Sequence, residues 1–76
     1  MESSDELKSL ILLAEQEDPD SMFKLAVKYL KGEGVTPNIE KVIFYLDKAS
    51  TLHHKGAMEL YGIVLQNIFN RILHGK

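Results

Sequence analysis

The sequence predicts an all-α fold, a short α-α solenoid of about four antiparallel helices forming one domain over residues 1–76. Three observations predict it. Apolar residues recur at helical spacing in four separate segments. Capping residues and turn formers fall between those segments. Features of the chain also return after a shift of 36 residues. Strands compete poorly, because β-branched residues never alternate with polar ones over five or six positions.

The first helix is expected over about 4–17. Ser4 is placed to cap it, Asp5 and Glu6 suit its positive first turn, and Leu7, Leu10, Ile11 and Ala14 share a face widened by Leu12 and Leu13. Asp18-Pro19 breaks the chain, with Asp18 as a cap and Pro19 at the first helical position of a second helix over 19–31. Met22, Leu25, Ala26 and Tyr29 recur along that helix, and Phe23, Val27 and Leu30 line the adjoining side. Gly32 or Gly34 ends it in a left-handed conformation. Pro37 keeps Thr36 extended, and Asn38 caps a third helix over 39–53. Ile39, Val42, Ile43, Leu46 and Ala49 line that helix, beside Phe44, Tyr45 and Leu52. His54-Lys55-Gly56 reads as a turn. The fourth helix, expected over 57–73 with Gly75 as its stop, is the most apolar. The linking segments are short, which makes successive helices antiparallel neighbours.

Composition narrows the function classes. The chain has 76 residues, 45% apolar and 26% charged, which is ordinary for a globular protein. It has no cysteine, so disulfides and thiolate metal sites are excluded. That composition suits a reducing compartment, and the cytoplasm is the expected location. No basic N-terminal segment leads into an apolar stretch, so no signal peptide is expected. No apolar run is long enough to span a membrane.

Charge is uneven along the chain. Residues 1–20 hold seven acids and one base, and the remainder holds four acids and eight bases. The two parts are able to attract one another within or between chains. The lysines are dispersed, with Lys24, Lys28 and Lys31 the best cluster, and no aromatic residue is regularly interleaved with them. That pattern argues against nucleic acid as a partner.

The 36-residue shift places Ser21-Met22 on Ala57-Met58, Leu25 on Tyr61, Ala26 on Gly62 and Tyr29 on Leu65. The small residues at 26 and 62 are expected where helices cross closely. Within this frame, Gly32-x-Gly34-Val35-x-x-Asn38-x-x-Lys41 runs on to Phe44-Tyr45-x-x-Lys48-Ala49-Ser50. The segment resembles a Sel1-like repeat, a relative of the tetratricopeptide repeats. Ala26 stands where that family usually has glycine, Val42 where it has alanine, and Phe44 where it has tryptophan. The resemblance covers one complete repeat at about 20–55, with a partial unit on each side. It implies a right-handed helical stack that binds another protein. Arrays of this kind usually need about three repeats for stability.

Individual residues add little chemistry. Gly32 and Gly34 follow no strand, and no Lys-Ser or Lys-Thr pair closes them, so they read as a turn rather than a phosphate cradle. His53 and His54 point about 100° apart on a helix and chelate poorly. They are expected at the negative end of the third helix. No catalytic group, cofactor site or metal site is expected, and the chain is read as non-enzymatic.

The expected function is therefore a protein–protein interaction module, acting as a small adaptor, regulator or complex subunit. Alternatives are a self-associating structural unit and a nucleic-acid-associated regulator. The fourth helix carries more large apolar side chains than one antiparallel neighbour can cover. Its surface is expected to bind a second copy, as a homodimer through this C-terminal helix, or another protein. The expected partner-binding residues are Tyr45, Tyr61, Leu65, Ile68, Phe69 and Ile72.

Overall fold

The computed structural model describes residues 2–74. Four helices follow one another, α1 (Glu2–Glu15), α2 (Pro19–Lys31), α3 (Ile39–Thr51) and α4 (Lys55–His74), and no strand occurs among the described residues. Each helix packs on its neighbour in the chain, most extensively α2 on α3. Ser4 lies inside α1 rather than capping it, since the helix begins at Glu2. Gly75, expected as the stop of α4, lies outside the described residues.

Three helix stops share one device. Glu17, Gly32 and His53 each adopt a left-handed backbone, with φ of 65°, 74° and 68°. After α1, Asp18 N–H donates to Leu13 C=O and Glu17 N–H to Ala14 C=O. After α3, His54 N–H donates to Ala49 C=O and His53 N–H to Ser50 C=O. Both are Schellman closures, which normally place glycine at the left-handed position. Here a glutamate and a histidine occupy it, so α1 and α3 each stop two residues before the expected 17 and 53. Gly32 is the glycine version. It also needs the space, because a Cβ there would lie 2.7 Å from Pro37 Cγ.

Three helix starts are equally alike. Asp18 accepts from Ser21 N–H, Asn38 from Lys41 N–H and His54 from Ala57 N–H, so each cap serves the third residue of its helix. Asp18 and Asn38 were legible as caps. An imidazole cap was not, and α4 starts at Lys55 rather than 57. Glu17-Asp18 and His53-His54 are separated by the 36 residues of the sequence repeat, so the first and third turns are the same turn made with different side chains.

Among the described residues, ten apolar ones are buried. Leu10 and Ala14 come from α1, Met22, Leu25 and Ala26 from α2, Val42, Leu46 and Ala49 from α3, and Ala57 and Val64 from α4. Four of the ten are alanines, which lets helix backbones approach closely. The expected close crossing at Ala26 is present, with the residue wholly buried. The one expected at Gly62 is not, because a Cβ there would meet nothing within 4 Å. Ala57 takes that place against the core. Gly62 sits about 140° further round the helix from it, at 100° per residue.

The molecule measures 40 × 28 × 14 Å and has a radius of gyration of 12.9 Å. A rounded domain of this length has about 11 Å. The molecule is therefore flatter than a rounded domain, and large apolar side chains remain exposed on all four helices.

Ala26→Leu is expected to lower stability by roughly 1–3 kcal/mol through overpacking at the α2–α3 contact, read from its melting temperature. His53→Gly is expected to raise stability by about 1 kcal/mol, because glycine takes the left-handed position without the Cβ clash. Chemical denaturation measures both.

Candidate interaction surface

Helix α4 is 20 residues long and α3 is 13, so α4 outreaches the neighbour it packs on. Ala57, Tyr61, Val64 and Ile68 form the seam that faces the rest of the molecule. The Tyr61 hydroxyl donates to Asp47 Oδ1 at 3.3 Å, tying α4 to α3. Partial burial and the Asp47 carboxylate push the Tyr61 hydroxyl pKa up. One residue further along at each step lies a second seam, Met58, Gly62, Leu65, Phe69 and Ile72. Its large side chains are exposed, Phe69 by 57% and Ile72 by 74%. A shallow depression of about 390 Å³ runs along it, lined by Gly62, Leu65, Gln66, Ile68, Phe69 and Ile72. Glycine inside a helix costs about 1 kcal/mol relative to alanine, and no close contact within the chain requires it at 62.

Under the 36-residue offset, Met58, Gly62 and Leu65 correspond to Met22, Ala26 and Tyr29. Those three residues lie on the side of α2 that faces α3. Met22 is fully buried, and its counterpart Met58 is 49% exposed. The outer seam of α4 is thus built like a packed seam and has no helix against it.

The six expected partner-binding residues do not share one surface. Leu65, Phe69 and Ile72 lie on the outer seam. Tyr61 and Ile68 lie on the packed seam, with Ile68 reaching the edge of both. Tyr45 lies elsewhere, half-buried in a groove with Ile11, Ala14 and Glu15 of α1. Its ring stacks on Tyr29 at 6.3 Å and meets the edge of Phe44 at 5.1 Å. Desolvation, with Tyr29 and Glu15 nearby, pushes the Tyr45 hydroxyl pKa up.

Sequence reading missed two arrangements. The first is a row in which Lys41 covers the Tyr29 ring at 5.6 Å and Lys48 covers Phe44 at 5.5 Å. Lys41, Phe44, Tyr45 and Lys48 stand at i, i+3, i+4 and i+7, so lysines and aromatics are interleaved on α3 after all. Glu15 and Glu17 border the same groove and oppose a phosphate there. The second is His54. It serves the positive start of α4 rather than the negative end of α3. Its Nδ1 accepts from Ala57 N–H at 3.0 Å, which leaves the ring proton on Nε2, 3.3 Å from Asp20 Oδ1. Its ring stacks on Phe23 at 4.9 Å, and Gly56 leaves room for it.

A further groove of about 940 Å³ lies between α4 and the facing ends of α2 and α3. Leu30, Ile39, Ile43, Val64, Ile68 and Ile72 line it, with Asn67, Asn70 and Arg71 at its polar side. Among the described residues no three metal-ligating side chains come together. None of the described helices is long and apolar enough to cross a membrane. The acidic start and the basic remainder of the chain do meet, where Lys28 Nζ lies 3.3 Å from Glu6 Oε1 across α1 and α2 and where Lys24 Nζ lies 3.4 Å from Asp20 Oδ2.

No family model, curated protein or solved structure matches the chain.

His54→Ala is expected to cost about 1 kcal/mol by removing the α4 cap. His54→Asn is expected to recover part of it, since asparagine caps but cannot stack on Phe23. Asp20 is held below the usual carboxylate range by its hydrogen bonds to His54 and Lys24 and the Lys24 charge. The stability it lends is complete above about pH 4 and lost as pH falls through its lower folded value. The effect is small, because the carboxylate is largely in solvent. Asp20→Asn is expected to flatten that acid limb in melting curves taken at stepped pH.

Proposed function

We propose that the chain is a non-enzymatic protein–protein interaction module, acting as a small adaptor, regulator or complex subunit. Its architecture is that of a Sel1-like helical repeat, one complete unit at about 20–55 with a partial unit on either side. The outer seam of α4 carries this reading. It is apolar, exposed and spaced as a packed helix face, and its counterpart on α2 is buried against the next helix. The recurrence of the Glu17-Asp18 turn at His53-His54 supports the repeat. The cysteine-free composition supports a cytoplasmic location.

Affinity capture from the native cell tests the reading, with the mass of the recovered complex measured. Wild-type protein is expected to retain a discrete set of protein partners. Ile72→Glu places a charge on the seam at a side chain that is mostly in solvent, so the variant is expected to keep its helicity and melting temperature. It is expected to lose those partners by about tenfold or more. Equal recovery with both proteins overturns the assignment of the surface.

A further inference from the structure

We propose that the outer seam of α4 pairs with the same seam of a second copy, crossing antiparallel about a two-fold axis. This rests on the interaction-module reading and names its partner. Met58, Gly62, Leu65, Phe69 and Ile72 follow one another in steps of four, three, four and three residues. That is the spacing of a coiled-coil seam, kept here over two heptads. No charged residue occurs between Glu59 and Arg71, so self-pairing brings no like charges together along the middle of the stripe.

Gly62 sets the orientation. A Cβ at this position would meet nothing within 4 Å among the described residues, so its smallness fits a neighbour outside the chain. Along the stripe Gly62 is the small position, and Phe69 stands one heptad further on. An antiparallel two-fold crossing centred near Leu65 sets each Gly62 against the other copy's Phe69, and does so twice. A parallel crossing sets Gly62 against Gly62 and leaves a void. Docking of another copy's α1 on the seam fits less well, since exposed Leu12 and Leu13 share α1 with exposed Asp5, Lys8 and Ser9. Those polar groups would lose water against an uncharged stripe.

The exposed parts of Met58, Leu65, Phe69, Ile72 and Leu73 come to on the order of 500 Å² per copy, taking ~180 Å² for a fully exposed large side chain. Two copies bury about 1,000 Å², at the low end for a specific pair. An interface of that size suits a pair that forms and dissociates with concentration.

Sedimentation equilibrium or light scattering across a dilution series tests this. Wild-type protein is expected to move from twice the chain mass to the chain mass on dilution. Ile72→Glu is expected to stay a folded monomer throughout. Gly62→Leu is the sharper test, because the two effects oppose. Leucine favours the helix, so the monomer is expected to melt no lower than wild type, and the dimer is expected to weaken by about tenfold or more. A Gly62→Leu dimer as tight as wild type overturns the proposal. So does a mass that keeps climbing past two copies, which marks head-to-tail stacking. A wild type that is monomeric at about 1 mM also overturns it. If capture of a different protein still depends on Ile72 in that case, the module reading stands and only the second copy is rejected.

Discussion

The turns at Gln16–Asp18 and Leu52–His54 set the geometry on which the packing depends. Three residues must end one helix, reverse the chain and cap the next. A left-handed residue followed at once by a cap achieves this, because the same residue that closes the old helix through its N–H starts the new one through its side chain. Asp18 and His54 both do so. A longer link would let α2 swing away from α1 and α4 from α3. The alanines at 14, 26, 49 and 57 would then have no neighbour close enough to touch.

That constraint also explains which parts of the fold were legible. Four helices, their order and two of the three caps followed from apolar spacing, Asp18-Pro19 and Asn38. The ends at 15 and 51 did not. Glutamate and histidine carry no mark of a left-handed conformation, and only the hydrogen bonds to Leu13 and Ala49 reveal it. Gly62 misled for a related reason. The offset pairs it with Ala26, yet positions paired by an offset need not receive equal neighbours, and Ala57 rather than Gly62 lies against the core. The apolar excess of α4 was visible in its composition. Its division into one seam that packs and one that does not required knowing where α3 lies. Tyr45 and Tyr61, expected to bind a partner, also make contacts inside the molecule, with Tyr29 and Asp47 respectively.

The molecule is flat, and the grooves along α4 open to solvent. The same flatness leaves Leu12, Phe44, Phe69 and Ile72 in water. Of these, Phe44 has the Lys48 ammonium over its ring at 5.5 Å. The α4 residues have no such cover, and this difference separates an aromatic that is locally accommodated from a stripe that is not.

Packing that is most extensive between chain neighbours also shapes how the protein forms. Loop closure across three residues, or seven between α2 and α3, costs little entropy, so each of these helix pairs assembles without waiting for distant segments. Chains with such local contacts fold in microseconds to milliseconds. Opening runs in the reverse sense. The α2–α3 pair, which holds the fully buried Met22, Leu25, Val42 and Leu46, is expected to exchange its amide hydrogens slowly. The far end of α4, beyond the reach of α3, is expected to exchange faster unless something is bound along it. Hydrogen exchange in that one stretch therefore reports occupancy of the surface without requiring the occupant to be known.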